Sequence, residues 1–325
     1  MTLAASILVL SGTSAAATTS VAQFNRFAYT DQTTTANAAQ YQFLVLGYGS
    51  GVRSQAVIRA LIASIHANDP QTRVLLYKNY TVTPGDPLGI GGCAPWDSTL
   101  PSGGVPSSWF LTTASGTPVW NSQYGYYVLD PGNPQVQQAC TSSAVAMAKL
   151  GGYDGVFWDS QHTSLFWASL SPWNCSSVTC QSDANWHASM TSWVTNVSAG
   201  LHANGLLSFG NIAGGNVALF GGGPTWWDAF MQAGFDGAAE ESFTSGTNHL
   251  PVSLGAWKLE LANALWNEAN GKYLIANADV GSNQALNVYG LATMLLAAGG
   301  YSSWDANSGN YYSNEYWFPE YDTAL

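Results

Sequence analysis

Short apolar runs alternate along the chain with longer segments whose apolar residues recur at three- and four-residue steps. The runs are FNRFAYT (24–30), QFLVLGYG (42–49), RVLLYKNY (73–80), GVFWDS (155–160), LLSFGNIAG (206–214), GAAEESF (237–243), YLIANADV (273–280) and GYSSWDA (300–306). Each reads as a strand bounded by polar loop residues. In SQAVIRALIASIHAND, Val57, Leu61, Ile62 and Ile65 fall on one helical face. NPQVQQACTSSAVAMAKLGG starts with proline after Asn133 and stops at a glycine pair. WHASMTSWVTNVSAGLHANG, GAWKLELANALWNEANG and NQALNVYGLATMLLAAGG also end at glycine, as helices commonly do. Strand and helix alternating about eight times predicts a (β/α)8 TIM barrel, one α/β domain over residues 24–325. A doubly wound open sheet is the alternative, but no glycine-rich phosphate loop follows the first strand.

Two of these segments share a spelling. YDGVFWDS (153–160) and FDGAAEES (235–242) each read aromatic, Asp, Gly, a three-residue step, an acid and Ser. In a barrel the functional groups sit at the C-terminal ends of strands. Asp154 and Asp236 then lie at the opposite rim from Asp159 and Glu241, and the shared spacing aims the latter two the same way. On the fourth and sixth strands both carboxylates face one pocket. Glycoside hydrolysis needs such a pair: one acid protonates the leaving oxygen while the other attacks the sugar or activates water. Glu240 is adjacent to Glu241 and so points to the opposite face. The plainer reading is that both acids hold loop amides, Asp-Gly being a common turn signal.

Further polar groups stand at strand exits: Tyr29 and Asp31, Tyr48, Lys78 and Asn79, Asn211, Asn277 and Asp279, and Asp305. Tyr29, Asp31, Tyr48, Lys78, Asn211, Asn277 and Asp279 form, with Trp158, the expected substrate-binding set. Lys78 sits inside an apolar run and serves equally well as a snorkelling rim lysine. Asp130, ahead of a helix start, is expected to cap it. The chain has 14 Trp and 16 Tyr. Those in presumed loops (Trp96, Trp109, Trp120, Trp167, Trp173, Trp226, Trp227) suit sugar stacking and loop anchoring alike, while Trp193, Trp257 and Trp266 belong to helix packing.

Charged residues make up 8% of the 325 residues, far below the usual share near a quarter, and hydrophobic ones 46%. The net charge of −11 speaks against nucleic-acid partners and disfavours a polyanionic substrate. LAASILVL followed by SGTSAAATTS reads as a signal peptide over residues 1–20, although no basic residue precedes Arg26. No later run reaches the ~18 apolar residues of a membrane-spanning helix. Cys175 and Cys180 bracket a short loop and are expected to pair, leaving Cys93 and Cys140 for each other, as in a secreted protein. The histidines show no metal-ligand spacing, and neither metal nor cofactor is expected.

At these residues the chain resembles a known family. YYVLDPGNPQVQQA…GGYDGVFWDS, LLYKNY, SFGNIAG, FDGAAEESF and the terminal YWFPEYDTAL resemble, in that order, segments of glycosyl-hydrolase-like family 15. The resemblance runs from about residue 24 to the end. It implies a barrel fold and a glycosidic activity, with the fourth-strand acid at Asp159 and the sixth-strand acid at Glu241. It also implies a further segment beyond Leu325, so that the barrel is truncated at its C-terminus.

The expected function is therefore a secreted glycoside hydrolase acting on a neutral poly- or oligosaccharide. A carbohydrate-binding barrel without catalysis is the alternative. A metal-dependent deacetylase lacks its ligand set, and no Gly-x-Ser-x-Gly elbow marks a serine esterase.

Overall fold

The computed structural model describes residues 23–29, 38, 40–47, 54–164, 175–212, 226–246, 248–307 and 318–321. The proposed signal peptide, Asp31, Tyr48, Trp167 and Trp173 lie outside the described residues. Eight parallel strands close a barrel in chain order: β1 (Gln23–Tyr29), β2 (Phe43–Gly47), β3 (Arg73–Lys78), β4 (Gly155–Trp158), β5 (Leu207–Asn211), β6 (Gly237–Glu240), β7 (Tyr273–Asp279) and β8 (Ser302–Asn307). β1 pairs with both β2 and β8, which completes the ring. The fold is the (β/α)8 barrel that the alternation predicts.

Period-two alternation divides each strand between two cores. Phe43, Val45, Leu75, Phe157, Phe209, Ala239 and Ile275 fill the barrel interior. Their neighbours Leu44, Leu76, Val156, Trp158, Ala238 and Ala276 face the helices. The outer layer holds α1 (Gln55–Asn68), α2 (Pro134–Gly151), α3 (Asp183–His202), α4 (Trp226–Ala233), α5 (Leu254–Asn270) and α6 (Gln284–Ala297). Ser54, Asn133, Ser182, Ser253 and Asn283 cap α1, α2, α3, α5 and α6 by accepting a first-turn backbone N–H. Asp130 does not cap α2. The helix starts at Pro134, so the capping position falls on Asn133, and Asp130 instead accepts from Gly132 N and the Thr179 hydroxyl. Gly152 and Gly271 end α2 and α5 in the left-handed conformation, but α3 ends at Ala203 and α6 at Ala298.

The repeated Asp-Gly pair has a structural cause. Asp154 accepts from Val74 N at 2.7 Å and pairs with His66 at 3.0 Å. Two strands on, Asp236 accepts from Ser208 N at 2.8 Å and pairs with His202 at 2.8 Å. Each acid thus ties the start of the preceding strand in the repeat to the helix that leads into it. The glycines are required by close approach: a Cβ on Gly155 would lie 2.6 Å from the Leu207 carbonyl oxygen, and one on Gly237 2.3 Å from the Phe209 ring. This lower rim aligns β4 and β6, and so aligns what stands at their other ends.

Between β3 and α2 the chain builds a small antiparallel sheet from Thr81–Val82, Trp120–Asn121 and Tyr126–Val128, the last in the middle. The Cys93–Cys140 disulfide fastens this insertion to α2, and Cys175–Cys180 closes a short loop before α3. Both pairs are those the spacing predicts.

Candidate active site

Asp159 follows directly on β4 and Glu241 on β6. Two-residue steps from Phe157 and Ala239 turn both into the barrel mouth, and steps from Leu75 and Phe209 bring Tyr77 and Asn211 to the same layer. Three donors converge on the Asp159 carboxyl. The Tyr77 hydroxyl donates to Oδ2, while Asn211 Nδ2 (2.9 Å) and its neighbour Ser160 N (2.7 Å) donate to Oδ1. Gln161 Nε2 donates to the Asp159 carbonyl oxygen at 2.9 Å, and Asp159 N donates to the Lys78 carbonyl oxygen at 2.8 Å. Backbone and side chain of this residue are therefore both fixed.

Glu241 has a different environment. Its side chain is open to solvent at the mouth. The protein mass around it, and then the Asp159 charge, raise its carboxyl to about 7, against a hydrogen bond from Asn211 that lowers it. Asn211 therefore meets both acids. Glu240 turns outward to α5, where burial and then the charge of Glu260 raise it to about 8. Glu260 is itself buried, accepts from Thr244 N at 2.8 Å, and is raised to about 7 by burial.

The remaining expected site residues divide by the same alternation. Asn277 is fully buried on the inner face of β7, and both its amide atoms lack a hydrogen-bond partner among the described residues. Asp279, one inward step further, pairs with His249 Nδ1 at 2.9 Å. Asp305 of β8 is in register with Asn277. Tyr29 ends β1 in register with Gly47.

Two expectations do not hold. Lys78 faces outward, where its ammonium donates to the carbonyl oxygens of Gly89 (2.8 Å) and Ile90 (3.2 Å) and lies against Ser143 and Met147 of α2. It clamps the insertion onto α2, and burial lowers it to about 7. Trp158 packs edge-on against Trp193 of α3 at 5.3 Å. Both residues have the parity opposite to Tyr77 and Asp159, which decides their face. Tyr77 and His249 are absent from the sequence-derived set. Counting by twos from Leu75 finds Tyr77; His249 reaches Asp279 only through a loop contact that no local pattern encodes.

Among the described residues no three His, Cys, Asp or Glu side chains gather as a metal site, and no helix is long and apolar enough to cross a membrane.

Solved structures with this fold include the glycoside hydrolase domain of PelA from Pseudomonas aeruginosa, with a TM-score of 0.54 and 15% identity over 89% of this chain and 96% of that one. The cycloalternan-degrading enzyme from Trueperella pyogenes gives a TM-score of 0.54 and 12% identity over 87% of this chain and 42% of that one. No curated protein matches the sequence significantly. The model of hypothetical glycosyl hydrolase family 15 matches residues 66–325, a span that includes both mouth acids and most of the barrel. The chain belongs to hypothetical glycosyl hydrolase family 15.

Proposed function

We propose that the protein is a secreted glycoside hydrolase that cleaves a neutral poly- or oligosaccharide with Glu241 as general acid and Asp159 as its partner carboxylate. The observation that carries this reading is the asymmetry of the two acids around Asn211. Asp159 receives three hydrogen bonds, as an anion does, whereas Glu241 is raised to about 7, so that a share of it carries the proton near neutrality. Protonated Glu241 gives its proton to the glycosidic oxygen as the bond to the anomeric carbon breaks. Asp159 stabilises the positive charge developing there, then either bonds to that carbon or takes a proton from the attacking water. Tyr77 and Asn211 hold Asp159 at its rotamer through the reaction.

Secretion is supported by two disulfides and by a surface built largely from uncharged polar residues. The scarcity of Lys and Arg supports a neutral substrate.

The test is to incubate wild type and Asp159→Asn with a panel of neutral polysaccharides and detect new reducing ends and oligosaccharides by mass spectrometry. Release by wild type and none by the folded variant is expected. Equal release by both removes Asp159 from the chemistry. Binding without release by wild type leaves a carbohydrate-binding barrel.

A further inference from the structure

Three His–Asp pairs occur among the described residues. Two belong to the lower rim, where Asp154 and Asp236 each also accept a strand N–H and so hold the barrel together. The third, His249–Asp279, stands at the mouth, and its carboxylate accepts no backbone N–H among the described residues. Register places it. Ala276 of β7 is level with Glu240 of β6, so Asn277 is level with Glu241 and Asp279 stands two residues, about 7 Å, further toward the mouth. Asp279 has the inward parity of Ile275.

The chain between Glu241 and α5 is folded back to deliver the histidine there. Val252 N donates to the Thr244 carbonyl oxygen (3.0 Å), Gly246 N to that of Leu250 (3.2 Å), and the Ser245 hydroxyl to that of Asp279 (2.9 Å). Four non-glycine residues among those described have a left-handed φ, and three of them follow the mouth acids: Ser160 after Asp159, and Thr244 (66°) and His249 (57°) after Glu241. Side chains other than glycine adopt this backbone at a cost, and such residues cluster at functional sites. Gly281 makes the matching concession on β7's side. Its φ is 55°, and a Cβ there would stand 3.2 Å from His249 Nδ1.

His249 Nδ1 lies 2.9 Å from Asp279 Oδ1, yet Oδ1 has no aligned hydrogen-bond donor. Hydrogen-bond length without alignment is the usual condition of a site before its ligand arrives. The Asp279 side chain is 7% exposed and that of His249 46%, and Nε2 is unburied and without a partner among the described residues. With Nδ1 turned to the carboxylate, Nε2 accepts a hydrogen bond when the ring is neutral and donates one when it is charged. A hydroxyl group, which both donates and accepts, fits either state.

We propose that His249 Nε2 binds a hydroxyl of the sugar unit that departs during cleavage, with Asp279 orienting the ring. The inference rests on the glycosidase reading. Glu241 as proton donor faces the glycosidic oxygen, and β7 lies on its far side from Asp159, so the departing unit is the one within reach. His249 thereby selects substrates whose leaving group is itself a sugar.

The test compares wild type, His249→Gly and Asp279→Asn on an oligosaccharide and a dinitrophenyl glycoside of the same sugar. That sugar is chosen by release from hydroxyethylcellulose, galactomannan, dextran, pullulan or glycol chitin. Glycine adopts the left-handed backbone freely, so His249→Gly keeps the loop and removes only the ring. The ratio of kcat/KM on the oligosaccharide to that on the dinitrophenyl glycoside is expected to fall roughly 3- to 10-fold in His249→Gly, and in the same direction in Asp279→Asn. A clasp that merely fastens the loop would lower both substrates together. An unchanged ratio in His249→Gly therefore overturns the contact, and leaves the glycosidase reading standing if cleavage still depends on Asp159. If wild type cleaves no polysaccharide, the glycosidase reading fails, and native electrophoresis through gels of the same polymers decides the contact. Weaker retardation of His249→Gly than of wild type keeps it; equal retardation, or none of wild type, overturns it.

Discussion

Asn211 Nδ2 lies 2.9 Å from Asp159 Oδ1, and the same amide reaches Glu241. A single side chain on β5 therefore joins two carboxyls carried by its neighbours β4 and β6. Its hydrogen bond holds the acid form of Glu241 in check, since the surrounding protein and the Asp159 charge both push that carboxyl upward.

Asn211→Ala is expected to lower kcat by roughly 100-fold, the scale of losing one preorganised donor. It should also move the alkaline limb of the rate profile to higher pH, because the contribution that lowers Glu241 is gone. A pH series of kcat/KM checks both effects. A limb that stays in place would separate Asn211 from Glu241.

Asp154→Asn and Asp236→Asn are expected to cost about 1–3 kcal/mol of stability each while leaving kcat within about twofold, since each loses a charged partner of a buried strand N–H. Urea denaturation alongside turnover measures this. Loss of turnover in a folded variant would move the function of the repeat to the wrong rim.

The barrel is legible in the sequence because most of its strands are short apolar runs and five of the described outer helices carry their own cap. The echoed acids are legible because a closed barrel converts equal spacing along two strands into equal height and direction. Lys78 and Trp158 mislead because rarity and bulk draw attention before parity is counted. Tyr77 and Phe157, one position earlier in each strand, face the interior. The insertion's strands are two or three residues long, too short to show any period. They exist through pairing of Thr81–Val82 with Tyr126–Val128, distant in the chain. The His249–Asp279 contact is hidden for the same reason.

Stability is expected to fall as pH rises from 5 to 8. Glu240 and Glu260 are raised to about 8 and about 7 in the fold, above their ordinary 4.5. Below 4.5 both states carry the protons and the contribution is complete. Above it the unfolded chain releases protons that the fold still holds, so each group weakens the fold by ~1.4 kcal/mol per pH unit until its folded pKa is passed. Glu240→Gln and Glu260→Gln should flatten this slope, matching wild type near pH 5 and exceeding it at pH 8. Thermal melts across the range decide; an unchanged slope in both variants would contradict the buried acid pair.

The two disulfides should differ in value. Cys93–Cys140 closes a separation of 47 residues and Cys175–Cys180 one of 5. Chain entropy assigns about 4 kcal/mol to the first and about 2 kcal/mol to the second. Paired alanine variants compared by denaturant midpoint test the order. A larger loss from Cys175→Ala with Cys180→Ala would reverse it.

The account turns on Glu241, rather than its neighbour Glu240, as the proton donor. The direct measurement is kcat/KM for Glu241→Gln and Glu240→Gln on a series of aryl glycosides of graded leaving-group acidity, with the sugar identified by the polysaccharide panel. Glu241→Gln is expected to spare the dinitrophenyl glycoside, whose leaving group needs no proton, and to lose at least ~100-fold on poor leaving groups. Glu240→Gln should track wild type along the whole series. A steep leaving-group dependence in Glu240→Gln with none in Glu241→Gln would contradict the assignment and exchange the two roles.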